Sequence, residues 1–343
     1  MTNNLLEQIE KAGLVGRGGA GFNTAMKWKY SGKIKYLICN ASEGELGLFK
    51  DIYILENHLK EVMEGMRIVM DHFGTKEAYF NFNENYYTKL KNEVDSAVEE
   101  YQKKGYTFNI FKEHPSYIGG EETALINAIE GRRVEPRLKP PFPGEKGLFG
   151  EPTLVHNVET LFNIYHVVNN SFENKRFYCI SGEIDNKGVY HLPDDWNIYQ
   201  VLKKTNNIPE FDYFVQIGGS ASGVVLNSKQ LEEYTMMGAG SIEVYKATIT
   251  PYEMFKRWFD FYEEESCGKC TPCRLGTYQL SQMIDKEQAI PLQEILEIID
   301  TMEKTSFCAL GKSIATPVKS YLRNVLKIRL TSTPMFICVP HTD

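Results

Sequence analysis

The 343 residues carry 45 acidic against 38 basic side chains, a net charge of −7, and no sustained Lys/Arg face, a balance that argues against nucleic acid as the main partner. No run of about eighteen apolar residues occurs, and MTNNLLEQIEKAG at the N-terminus lacks the basic and apolar regions of a signal peptide, so a soluble, cytoplasmic protein is expected. The length accommodates about two or three domains with a substantial core.

In chain order, LLEQIEKAGL (5–14) spaces Leu5, Leu6, Ile9 and Ala12 at helical intervals between charged residues, which predicts an amphipathic helix. GRGGAGF (16–22) follows, with Gly16, Gly18 and Gly21 in the G-x-G-x-x-G spacing of a dinucleotide turn. That fingerprint works when a buried strand delivers the chain to the turn, and here a helix precedes it. An ordinary Rossmann turn is therefore disfavoured. Five glycines (Gly13, Gly16, Gly18, Gly19, Gly21) and Arg17 within nine residues still suit a backbone that approaches a ligand closely, with a bland flexible loop as the alternative.

The run Tyr36 to Cys39 reads as a buried strand, 51–73 as a helix, 77–84 as a strand, YTKLKNEVDSAVEEYQKKG as a long helix and YTFNIFK as a short strand. Strands alternating with helices imply a parallel α/β sheet through about residue 165, with ligands beyond the carboxyl ends of its strands. PSYIGGEET (115–123) sets Gly119 and Gly120 before Glu121 and Glu122 at the start of a predicted helix. Adjacent carboxylates there would repel a bare phosphate and suit ribose hydroxyls better; simple dipole placement at a helix start is the other explanation.

Past residue 170, RFYCISGEI, GVYHL, YFVQIGG and SIEVY read as short strands and NIYQVLKKT as a short helix, a small α+β domain. From Thr250 four helical segments predict a bundle. The expected domains are 1–168, 169–249 and 250–343, and the tail after Leu330 has no assignment.

The cysteines divide sharply. Cys39, Cys179 and Cys338 are isolated and read as small buried hydrophobes, whereas ESCGKCTPCRLG carries Cys267, Cys270 and Cys273 in C-x-x-C-x-x-C spacing, with Cys308 following in TSFCALG. Three closely spaced thiolates and a remote fourth suit a [4Fe–4S] cluster; zinc more often takes two separated pairs, and a thioredoxin-type site needs one pair. Lys269 and Arg274 would offset cluster charge, or are simply solvated.

Several stretches together resemble the flavin-containing, NADH-oxidising subunit of respiratory complex I and the related subunits of NAD-linked hydrogenases and formate dehydrogenases. They are GRGGAGF..MKW (16–28), ICNASEGELGLFKD (38–51), GGEETALINAIEG (119–131), PRLKPPFPGEKGLFGEPTLVHNVETL (136–161), ESCGKCTPCRLG (265–276) and TSFCALG (305–311). The resemblance implies a non-Rossmann FMN and NADH domain, a ubiquitin-like (SLBB) domain and a helical bundle with one [4Fe–4S] cluster on Cys267, Cys270, Cys273 and Cys308. It implies FMN among Gly16, Arg17, Gly18, Gly19, Gly21, Lys27, Asn40, Glu43, Gly120, Glu121, Asn157 and Thr160. The NADH adenine is expected between Phe22, Tyr30 and Phe142, with Glu45, Glu122 and Lys139 positioning the rest.

Glu43 and Glu121 are the residues expected to tune charge at the reacting centre, and Glu122 to favour NAD over NADP. The implied activity is hydride exchange between NADH and FMN, then single-electron transfer through the cluster to a thioredoxin-like [2Fe–2S] subunit and a larger iron–sulfur or catalytic subunit. Membrane association is expected only through such partners. A flavin-free scaffold or electron carrier is the alternative. The chain departs from the family pattern at Asn23 and Ala25 (usually Pro and Gly), at Ser42 (usually Asp), at Gly119 (usually Cys) and at His156 (usually Asn). Ser42 and His156 are expected near the flavin.

Overall fold

Residues 2–284 and 289–330 are described by a computed structural model. They begin with helix α1 (Thr2–Lys11), and the glycine loop leads from it into α2 (Thr24–Ser31). Strand β1 (Tyr36–Ala41), helix α3 (Lys50–Phe73), strand β2 (Glu77–Asn83), helix α4 (Glu84–Lys103) and strand β3 (Thr107–Glu113) then alternate as the hydrophobic pattern requires. Helices α5 (Glu122–Ile129) and α6 (Pro143–Lys146) precede β4 (Thr153–Asn157), which runs directly into α7 (Val158–Val168).

The sheet is parallel throughout, in the order β3-β2-β1-β4. Leu37, Ile38 and Cys39 on β1 and Phe80 and Phe82 on β2 are buried, as interior parallel strands covered on both faces demand. The register sets Asn40 beside both Asn81 and Asn157. The carboxyl edge is thus lined with amides where the core strands end. The glycine loop lies ahead of β1 rather than in the turn that leaves it.

Contact density divides the chain into two units, one holding residues through Gly44 with Leu48–Phe177, the other holding Glu45–Gly47 with the residues from Tyr178 on. In the second unit β5 (Lys175–Gly182), β6 (Gly188–Pro193), β7 (Tyr213–Ile217), β8 (Val224–Asn227) and β9 (Ser241–Lys246) form a mixed sheet ordered β6-β5-β9-β7-β8. Helix α8 (Ile198–Lys204) contributes Ile198, Val201 and Leu202 to a core shared with Tyr178, Val215 and Val244.

Helix α9 (Pro251–Glu265) opens the helical region with a reciprocal Thr250–Glu253 cap and proline in its first turn. It buries Phe255, Trp258, Phe259 and Tyr262. Then follow α10 (Thr271–Ile284), α11 (Leu292–Thr305), α12 (Ala309–Ser313) and α13 (Ala315–Asn324). Among the described residues no helix is long and apolar enough to cross a membrane. Cys39 and Cys179 are buried as expected, while Cys338 and the unassigned tail lie outside the described residues.

Helix α3 packs tightly along α7 because Gly65 lets the backbones meet; a Cβ there would lie 2.1 Å from the Leu161 carbonyl oxygen. Gly65→Ala sets a helix-propensity gain of about 1 kcal/mol against an overpacking cost of about 3 kcal/mol. The clash should win, with net destabilisation of about 2 kcal/mol in urea unfolding; an equal or higher midpoint would show that the helices can separate freely.

Candidate functional site

The glycine loop is closed at its base. Gly16 N donates to Phe22 O at 2.8 Å, and Thr24 N to Leu14 O at 2.9 Å. Inside it Gly19 (φ 114°) and Gly21 (φ 62°) adopt backbone conformations that side chains oppose. The loop is tied to the sheet edge where Arg17 N donates to Thr160 Oγ1 at 2.9 Å. Gly18 lies against the last residue of β4, so that a Cβ on it would be 3.3 Å from Asn157 Cβ. Asn157 in turn caps α7, accepting from Glu159 N at 3.0 Å.

The departures after the glycines have a local explanation. Asn23 caps α2 by accepting from Met26 N at 2.9 Å, and Ala25 is buried in that helix. The loop therefore leads straight into a helix start.

Beneath it lies a buried charge network that motif reading missed, although LFKD fell inside a matching stretch. Lys50 Nζ contacts Asp51 Oδ1, Asn157 Oδ1 at 3.2 Å and Glu159 Oε2 at 3.3 Å. Asn157 Nδ2 donates to Asp51 Oδ2 at 2.6 Å. Glu43, at φ 42°, turns its carboxylate onto the start of α3, accepting from Asp51 N at 2.9 Å and from Tyr86 OH at 2.9 Å. Burial, and next the charge of Asp51, push its pKa up to about 8 against the opposing pull of Lys50 and these donors.

The Gly-Gly-Glu-Glu segment approaches from β3. Gly120 O accepts from Asn40 Nδ2 at 2.9 Å. Gly44 and Ser116 touch so closely that a Cβ on Gly44 would lie 2.2 Å from Ser116 O. Glu121 caps α5, its Oε2 accepting from Thr123 N and Ala124 N, both at 2.9 Å, while its Oε1 accepts from Lys139 Nζ at 2.8 Å. Glu122 bridges two lysines, Lys139 at 3.0 Å and Lys27 at 3.1 Å. Burial opposes ionisation of Glu122, yet the two ammonium groups hold its pKa below the ordinary value. Lys27 is anchored by donating to Val155 O at 2.8 Å.

His156 is buried and accepts from Trp28 Nε1 at 2.8 Å; burial, then the Lys27 charge, keep its pKa well below the ordinary value. It is thus a neutral ring tied to α2. Phe22, Tyr30 and Phe142 are large rings 49, 71 and 55 % exposed. Within the second unit, Glu45 accepts from Ala221 N at 2.9 Å and from Ser222 Oγ at 2.5 Å.

In that unit Cys267, Cys270, Cys273 and Cys308 lie around the starts of α10 and α12, none of them in a disulfide. Cys273 is pushed up to about 11, by burial first and then by the charges of the other three sulfurs, against Ser266. Among the described residues no three His, Cys, Asp or Glu side chains converge as they would on a single metal ion. Three thiols in C-x-x-C-x-x-C spacing with a remote fourth form a donor set that suits an iron–sulfur cluster. Lys269 lies over the Phe307 ring at 4.9 Å, and Arg274 Nη1 donates to Gly268 O at 2.9 Å.

Residues 9–166, which contain the glycine loop and both glutamate segments, match the family described as Nuo51 FMN-binding domain. Residues 253–326, with all four clustered cysteines, match the NADH-ubiquinone oxidoreductase-F iron-sulfur binding region. The chain is 31 % identical to the second F subunit of the NADH-quinone oxidoreductase of Rhizobium meliloti over 366 residues, covering 94 % of this chain and 87 % of that one. It is 33 % identical to the NADH-quinone oxidoreductase F subunit of Aquifex aeolicus, over 90 % of this chain and 80 % of that one. NADP-reducing hydrogenase subunit HndC of Solidesulfovibrio fructosivorans is 30 % identical over 92 % of this chain and 73 % of its own length.

The crystal structure of NAD+-reducing [NiFe]-hydrogenase in the H2-reduced state superimposes with a TM-score of 0.88 at 30 % identity, covering 95 % of this chain and 62 % of that one. Both regions that could hold a redox group lie inside these matches, and the chain belongs to the family of NADH-quinone oxidoreductase F subunits, with its FMN-binding and 4Fe–4S-binding regions.

Proposed function

We propose that the chain oxidises NADH within a multisubunit electron-transfer complex, with FMN held at the carboxyl edge of the parallel sheet and one [4Fe–4S] cluster held by Cys267, Cys270, Cys273 and Cys308. The observation that carries this is the tie between Arg17 N and Thr160 Oγ1, which brings a glycine loop to the N-terminus of α7 at the strand ends. Backbone N–H groups and a positive helix end together suit a phosphate. Gly18 leaves open, above Asn157, the space that a side chain would fill.

FMN, when bound, accepts hydride from NADH and releases electrons singly, which links a two-electron donor to a one-electron cluster. The protein's part is alignment and electrostatics. Asn40 fixes the Gly120 segment, and Glu43 places a carboxyl whose pKa is near neutrality beside Asp51. Glu121 caps α5 and holds Lys139, while the exposed rings of Phe22, Tyr30 and Phe142 offer stacking area to adenine. In this reading the fold is of the non-Rossmann flavin type, 169–249 is the ubiquitin-like SLBB domain, and 250–343 is the cluster bundle. The electrons leave to a thioredoxin-like [2Fe–2S] subunit and a larger iron–sulfur subunit.

Protein purified anaerobically should release FMN on denaturation, and NADH should bleach its flavin band; protein that folds and carries the cluster but no flavin would favour the scaffold or carrier reading. Glu121, Glu122, Lys27 and Lys139 balance to zero net charge, so Glu122→Gln leaves one positive charge facing the dinucleotide. The NADPH-to-NADH ratio of kcat/KM should rise about tenfold, and an unchanged ratio would remove Glu122 from coenzyme choice. Glu43 is raised from an ordinary 4.5 to about 8, so its contribution to stability is complete below 4.5 and is lost as pH rises through 8. Glu43 alone should lower wild-type stability between pH 5 and 8, at most by about 1.4 kcal/mol per pH unit for one proton, so the slope of stability against pH in urea unfolding should be less negative in Glu43→Gln than in wild type, and an identical slope would place the titration elsewhere.

A further inference from the structure

We propose that Glu113 is the carboxyl that positions the flavin-facing loops through Ser42, and that residue 119 is glycine because this carboxyl fills the space its side chain would need. The assignment rests on the FMN reading above. Glu113 ends β3 and is 5 % exposed. Its Oε2 accepts from Ser42 Oγ at 2.7 Å and from Asn81 Nδ2 at 2.9 Å, and Asn81 Nδ2 also reaches Ser42 Oγ at 2.8 Å. One buried polar knot thereby joins the ends of β1, β2 and β3.

From Ser42 the knot continues toward the site. Ser42 N donates to Asn40 Oδ1 at 3.1 Å, and Asn40 Nδ2 donates to Gly120 O at 2.9 Å. The other oxygen, Glu113 Oε1, is buried without a hydrogen-bond partner, and a Cβ on Gly119 would lie 1.6 Å from it, its tightest contact, and 2.6 Å from Ser116 Oγ. A purely structural knot would be better served by a residue with no orphaned oxygen, since a buried unpaired acceptor is costly. Ser42 relays the hydrogen bond of this carboxyl from the end of β3 to the loop after β1.

The test uses the full chain loaded with FMN and reads the flavin dissociation constant and midpoint potential. Glu113→Ala and Ser42→Asp should each weaken FMN about tenfold, the second because two carboxyls then share one knot, whereas the double variant should return to within about threefold of wild type. The double variant should also have a lower flavin midpoint potential than wild type, because a carboxylate at 42 opposes the added charge of the reduced ring. Glu113→Gln, which can still accept from Ser42, should bind FMN as wild type does. Gly119→Ala should lower the thermal midpoint more with Glu113 present than in the Glu113→Ala background, where only Ser116 Oγ, 2.6 Å from such a Cβ, still has to move. Additive losses in the double variant, or an unchanged potential, would overturn the assignment alone; wild-type chain that binds no FMN would overturn the functional reading together with it.

Discussion

The buried ammonium of Lys50 is the interaction on which the candidate flavin site depends. It sits at the first residue of α3 and reaches Asp51, Asn157 and Glu159, so a single charge ties the start of one helix to the end of β4 and the start of another. Burial alone would drive its proton off, but Asp51, Glu159 and Glu43 more than offset that and hold its pKa above the ordinary lysine value. Burial raises the pKa of both Glu43 and Asp51, with the charge of Asp51 adding to the rise of Glu43 and that of Glu159 to the rise of Asp51, against the pull of Lys50. A network of this kind contributes little net stability but is expensive to break from one side, which makes it a device for fixing geometry. Asn157 belongs to it and also underlies Gly18, so the position of the glycine loop is inherited from the charge network below.

The pairing of Glu121 and Glu122 with Lys27 and Lys139 follows a different logic. It is partly exposed and charge-balanced, and the two carboxylates divide the work. Glu121 satisfies the open amides at the start of α5, and Glu122 bridges lysines from α2 and from the 131–143 segment. The acids are held at fixed positions without a buried excess of charge. A dinucleotide bound there, as proposed, would meet side chains already oriented by these partners, whereas Glu43, pushed up to about 8 chiefly by burial, would respond to a change in charge nearby.

Much of the fold was legible because periodicity and caps act locally. The alternation of strand and helix from residue 36 to 113 is written in apolar runs and amphipathic stretches, and C-x-x-C-x-x-C announces its chemistry through spacing alone. The spacing of the glycine loop is misleading as a dinucleotide fingerprint, since a helix rather than a strand leads into it. Helix α2 escaped because TAMKWKYS has little amphipathic contrast, and β4 and α7 because their apolar residues run together across Asn157, whose capping role is visible only in three dimensions. The Ser42–Glu113 contact spans 71 positions and depends on strand order, so no window of sequence could contain it. His156 was expected near the flavin on its place in the motif; the structure ties it to Trp28, a partner that no spacing rule would have supplied.

The cysteine region poses the opposite problem, because its ligands must be ready for a cluster before one arrives. Burial raises the pKa of Cys273 and Cys308, which favours their protonated thiols. Loading must then release protons and draw on the binding free energy of the cluster. The frame that waits for it is set by packing that needs no metal: Gly276 lies where a Cβ would meet Met302 Sδ at 2.5 Å, and Gly311 where one would sit 3.1 Å from Cys273 Cβ. Donors already point at sulfur, with Phe307 N 3.5 Å from Cys270 Sγ and the amides of Leu310 and Gly311 lowering the pKa of Cys308. Hydrogen bonds to thiolates ease the repulsion among four negative sulfurs and favour the reduced cluster. Those backbone amides would therefore bear both on the assembly of a cluster there and on its redox poise.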